Sequence, residues 1–167
     1  EVMLEDFTIS GELGYFWFGA FFQNTAMGAD YIYPAYFWDC YYAWIKLTND
    51  LIAKAGEVTD ETDPMIVNVL GQAYAYRAMC YLDLARLYEP KENNYTDVSD
   101  VLGLTVPIVT EYTTEKETTN NPRMPREEVY SLILSDLEKA ESYLKNSGNS
   151  FSSPNLAAVY GLYARAY

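Results

Sequence analysis

The chain has 167 residues, 24 acidic against 11 basic, a formal charge of −13 and no histidine. Half of it is hydrophobic and 16% aromatic, a globular composition with enough chain to bury a sizeable core. The acidity argues against nucleic acid and against basic docking on an anionic membrane, and the missing imidazole excludes histidine triads and most zinc sites.

No metal and no cofactor are expected. The longest apolar run, Leu13 to Phe22, is too short to span a bilayer. Glu1 reads as an internal residue and Tyr167 falls inside a helical pattern, so the chain reads as part of something longer.

Residues 1–32 hold a dense aromatic cluster, from Phe7 through Trp17 to Phe22, broken by glycines and without a clear period. A short helix or irregular segment is expected there, followed by a loop with Asn24 and Gly28 as turn residues. A first long helix is predicted from about Pro34 to Ala55, with Gly56 after its end. Phe37, Cys40, Tyr41, Trp44, Thr48, Leu51, Ile52 and Ala55 mark its expected buried stripe. A second stripe, Trp38, Tyr42, Ile45, Asn49 and Ile52, has the same period. The short acidic connection Glu57 to Thr62 implies an antiparallel partner helix, capped by Thr62 or Asp63 and opened by Pro64. It runs to about Tyr88, before Pro90.

Within that second helix Ile66, Leu70, Ala73, Arg77, Cys80, Leu84 and Leu87 share one face. Gly71, Ala75 and Ala78 lie beside it and allow another helix to come close. Residues 90–124 then form a long polar loop, the candidate for partner contact or loop mobility, with only Leu104 to Val109 resembling an extended segment. A third helix begins at Pro125, with Val129, Leu132, Ile133, Leu137, Ala140 and Leu144 inward. Gly148 ends that region, and Ser153 is expected to cap a fourth helix opened by Pro154. Ala157, Gly161 and Ala164 would form its close-packing face. The expected fold is all-α, with antiparallel helical hairpins of tetratricopeptide-like type and long irregular loops. Residues 1–167 read as a single partial domain.

Two charges stand on apolar faces: Arg77 and Asp136. Buried charges persist when paired, so the two are expected to form a structural ion pair where the hairpins meet. Cys40 and Cys80 read as small hydrophobes on apolar faces, with a disulfide between the helices as the alternative. Tyr31, Tyr33 and Trp38 are the candidate ligand-binding residues, because flat apolar rings with a polar edge suit stacking on sugars. Trp38 also fits a core stripe. Asp30 and Asp39 are the carboxylates that a glycosidase reading would use.

These residues in this order resemble the SusD/RagB nutrient-binding lipoproteins of the bacterial outer membrane. Trp38, Tyr41, Tyr42, Ile45, Asn49, Leu51 and Ile52 look like that family's aromatic–Asn–Leu-Ile helix. Arg77-Ala78, Tyr81, Leu82, Leu84, Arg86, Leu87 and Tyr88 resemble its next signature, and Gly103, Pro107 and Val109 the segment after it. Arg123, Glu127, Tyr130, Ile133, Asp136, Leu137 and Ala140, then Ala157-Ala158 and Ala164 to Tyr167, complete the likeness. The family's usual Gly-Asp is replaced by Glu89-Pro90. The resemblance implies a non-enzymatic, surface-exposed outer-membrane lipoprotein whose lipid anchor lies outside this chain. It would be the lid of a SusC-like TonB-dependent transporter and would deliver glycans, or peptides in the RagB branch. The competing readings are an all-α glycoside hydrolase and a helical scaffold that binds only proteins.

Overall fold

A computed structural model describes residues 32–57, 63–146 and 152–167. The aromatic cluster of residues 7–22, the Asn24/Gly28 turn, Asp30, Tyr31, Thr62 and Gly148 lie outside the described residues. The elements are α1 (Ile32–Gly56), α2 (Pro64–Tyr88), a 3-10 turn (Ser99–Val101), α3 (Glu115–Thr118), α4 (Arg126–Leu144) and α5 (Leu156–Ala166). Among the described residues the fold is all-α; the one extended pairing is an isolated bridge from Leu104 to Pro125. The chain divides into two compact units, residues 1–40 and 41–167, and α1 runs from the first into the second.

In the first unit, the described turns of α1 leave Ile32 and Tyr36 exposed. The Tyr36 ring meets Phe37 edge-on at 6.0 Å.

In the second unit α2 is the central element. It starts where the Asp63 carboxylate accepts the Met65 N–H at 2.8 Å, with Pro64 in the first turn, where a missing N–H costs nothing. It stops at Glu89, which is extended because the following Pro90 disfavours a helical conformation. Pairings between residues 71 and 144, 77 and 136, and 89 and 126 run in opposite directions, so α4 packs antiparallel along α2. Gly71 makes this approach possible: a Cβ there would stand 2.6 Å from Leu144 Cγ. Leu70, Ala73, Leu84, Val129, Ile133, Leu137 and Leu144 fill the interface and are buried. α5 packs on α4 and more lightly on α2.

Several expectations are corrected. The closest helix partner of α2 is α4. α1 reaches it instead through side chains, among them Tyr41 Oη to Asp83 at 3.2 Å. The buried stripe of α1 is Ile45, Thr48, Asn49 and Ile52, whereas Trp44 and Leu51 are 49% and 46% exposed. Apolar residues occupy two adjacent faces of this helix, and only one faces the core. Leu87 is also exposed, at the last turn of α2. The cap of α5 is Asn155, whose side chain accepts the Ala158 N–H at 3.0 Å; Ser153 instead accepts from Gln72 Nε2. On α5 the inward residues are Val159 and Leu162, and Ala157, Gly161 and Ala164 are exposed.

Residues 105–111 form a strap bonded to both α1 and α2. Thr105 and Val106 are fully buried. Tyr42 Oη donates to the Pro107 carbonyl at 2.7 Å and Asn49 Nδ2 to that of Val109 at 3.0 Å. The Tyr81 hydroxyl donates to Val109 O at 2.8 Å and accepts Val109 N–H at 2.7 Å. Asn121 Nδ2 donates to Ile108 O at 2.8 Å. A buried extended segment without a sheet neighbour needs such side-chain partners for its backbone. Thus the centre of the polar loop is core structure, and its exposed parts lie on either side.

Candidate functional site

The charged centre of the second unit is built on Arg77. Its position on α2, one turn from Ala73 and Cys80, places the guanidinium among buried side chains, and its own side chain is 1% exposed. Nε donates to Asp136 Oδ2 at 2.7 Å and Nη2 to Oδ1 at 2.8 Å, a two-pronged pairing that lysine cannot make. Nη1 donates to Asn49 Oδ1 at 2.7 Å and Glu111 Oε2 at 2.5 Å. One guanidinium therefore joins α1, α2, the strap and α4.

Burial opposes the Arg77 charge, yet the hydrogen bonds and charges of Asp136 and Glu111 raise its pKa above the ordinary value. Asp136 is also raised, first by burial, because Arg77 must serve two carboxylates and only partly offsets that cost. Among the described residues no buried side-chain polar atom lacks a partner. A closed network of this kind fixes geometry and leaves no group free to react.

The ring of Tyr74 lies beside this network, with Arg77 Cζ 5.4 Å and Lys139 Nζ 4.9 Å from its centroid. Burial, with Glu111 next, pushes its hydroxyl up to about 12. Where α2 ends, Arg123 donates to the Tyr88 carbonyl at 3.0 Å and to the Thr105 carbonyl. Glu89 accepts from Thr105 Oγ1 and pairs with Arg126. The Glu89-Pro90 departure from the family pattern is thus absorbed into the α2–strap–α4 junction.

The structure brings Arg77 and Asp136 together and adds Asn49 and Glu111, neither of which the sequence reading paired with Arg77. Asn49 carries no charge to mark it, and Glu111 lies in a stretch with no period. Tyr33 and Trp38 are half-buried on the first turns of α1, and Tyr31 lies outside the described residues. Asp39 is exposed, and Asp30 lies outside the described residues. Cys40 and Cys80 are free thiols, the first half-buried and the second buried. Among the described residues no group of three metal-ligating side chains occurs, and no helix is long and apolar enough to cross a membrane.

Antiparallel helices cross-linked by one buried arginine define an all-α scaffold of the helical-hairpin class. The chain belongs to the SusD-like family: the family model described as "Starch-binding associating with outer membrane" matches residues 8–167. It is 30% identical over 147 residues to SusD-like protein P2 of Formosa agariphila, covering 87% of this chain and 26% of that protein. A SusD superfamily structure from Bacteroides thetaiotaomicron is similar at a TM-score of 0.59 and 26% identity, over 78% of this chain and 27% of that one. A structure described as a putative sugar binding protein from Bacteroides vulgatus gives 0.57 and 27%, over 78% and 29%. The chain spans about a quarter of the length of these relatives.

Proposed function

We propose that the protein is a non-enzymatic glycan-binding component of an outer-membrane uptake system, displayed as a surface lipoprotein and partnered by a TonB-dependent transporter. The observation that carries this reading is the match of residues 8–167 to a family described as starch-binding and associated with the outer membrane. The Arg77 network supports a scaffold role for this region, since its polar atoms are consumed by one another. Tyr33 and Trp38 are the proposed stacking residues of the first unit, acting with Tyr31. Binding would rest on ring stacking and hydroxyl hydrogen bonds with no bond broken.

Calorimetric titration of the full-length protein with neutral oligosaccharides tests the reading, with chromatography of the same mixtures for shortened products. Saturable heat with intact glycan is expected, weakened by Tyr33→Ala and Trp38→Ala. Hydrolysed glycan would overturn the non-enzymatic reading. Recovery of the protein from native membranes without a transporter would overturn the partnership.

A further inference from the structure

A cleft of about 360 Å³ opens where the C-terminal end of α1, the N-terminal half of α2, the end of the strap and the last turn of α4 meet. That volume lies within the range of roughly 300–1,000 Å³ usual for small-ligand pockets. Ile52, Glu57, Tyr74, Glu111, Tyr112 and Tyr143 are among its lining residues. All of its lining residues belong to the second unit.

Three tyrosines on one cleft give it an aromatic wall. Tyr74 and Tyr143 lie parallel within 2°, their centroids 6.1 Å apart. Tyr112 differs from both, because it is 84% exposed while the backbone on either side is tied down. Glu111 holds one side to Arg77 at 2.5 Å. On the other, Thr113 Oγ1 accepts the Thr110 N–H at 3.0 Å, and the Thr113 N–H reaches Thr110 O at 3.1 Å. The fold fixes the backbone that carries an aromatic residue at the cleft and leaves its ring exposed. A backbone held in place before binding loses little freedom when a ligand arrives.

The polar groups select the ligand. Glu57 is an exposed acceptor, Glu111 is already held by Arg77, the tyrosine hydroxyls can donate or accept, and no basic residue lines the cleft among the described residues. Sugar hydroxyls donate to such acceptors while the C–H face of the ring lies on an aromatic. An anionic sugar would instead meet the Glu57 carboxylate on a chain of charge −13.

We propose that this cleft is a saccharide subsite for an uncharged pyranose unit, with Tyr112 and Tyr143 as stacking faces and Glu57 as a hydroxyl acceptor. It rests on the glycan-binding reading above and adds a location and a charge preference to it. The test is calorimetric titration of the full-length protein with maltoheptaose, chosen for the family's starch description, and with an oligogalacturonide of equal length. Tyr112→Ala is expected to weaken maltoheptaose binding about tenfold, the scale of one aromatic contact. Tyr112→Phe, which keeps the ring, should restore it, and the anionic oligomer should bind at least about tenfold more weakly than the neutral one. Since Tyr112 is exposed, an unchanged thermal melt will separate lost contact from lost fold. Wild-type binding that Tyr112→Ala leaves unchanged would overturn the cleft alone. Absence of binding to maltoheptaose and to neutral β-linked hexasaccharides would overturn the glycan reading and the cleft with it.

Discussion

Arg77 draws three acceptors from three separate stretches of chain, so its removal strands more than one partner. Arg77→Met would leave the Asp136 carboxylate buried without a cation, a loss of about 3–5 kcal/mol. That is a large part of the roughly 5–15 kcal/mol that a domain commands. Chemical denaturation should therefore show Arg77→Met close to unfolded, with Arg77→Lys recovering little because an ammonium cannot match both carboxylate oxygens. The pair was legible from sequence because a charge on an apolar helical face is a rare pattern with a narrow set of explanations. Cys80 supplies a second expectation at this scale. Burial, then the nearby Asp83, pushes its thiol up to about 12 from an ordinary 9.0. At pH 8 its thiolate fraction is on the order of one in ten thousand. Iodoacetamide should leave it unmodified in the folded protein and label it in denaturant. The fold favours the neutral thiol, so this contribution to stability is full below pH 9 and is lost as pH rises toward 12.

Helices declare themselves through their faces, and the strap does not. α2 and α4 carry one apolar stripe each and were readable as such; α1 carries apolar residues on two faces, so periodicity alone could not choose between them. The strap has no period because its backbone is paired by side chains. Tyr81 shows how much rests on those bonds. Tyr81→Phe removes one donor and one acceptor from Val109, at about 1–3 kcal/mol for the buried groups left unpaired. The Val109 amide should then exchange with deuterium markedly faster. At the α2–α4 contact, Gly71→Ala gains about 1 kcal/mol of helix propensity. The added Cβ would, however, lie 2.6 Å from Leu144 Cγ, and relieving such overpacking costs about 1–3 kcal/mol. The clash should win, lowering the melting temperature.

At the scale of the whole molecule, the described chain leaves one face of α5 open. A Cβ on Gly161 would meet nothing within 4 Å. Gly161→Ala should accordingly stabilise the 167-residue chain by about 0.5–1 kcal/mol, measured by denaturant titration. Why Ala157, Gly161 and Ala164 share that face was not decided by their spacing: small residues mark a surface on which a helix can pack, not one on which a helix does.

The strap also sets an order of assembly. α1 and α2 are neighbours in sequence, yet Tyr42 and Asn49 find their backbone partners 65 and 60 residues downstream, at Pro107 and Val109. A chain emerging N-terminus first therefore has both helices in hand long before it has the segment that joins them. Their union is a long-range, late step, exposed meanwhile to misassembly. Nascent chains halted before residue 105 should keep α1 protease-sensitive, and chains extended past the strap and α4 should protect it; early protection would refute this order.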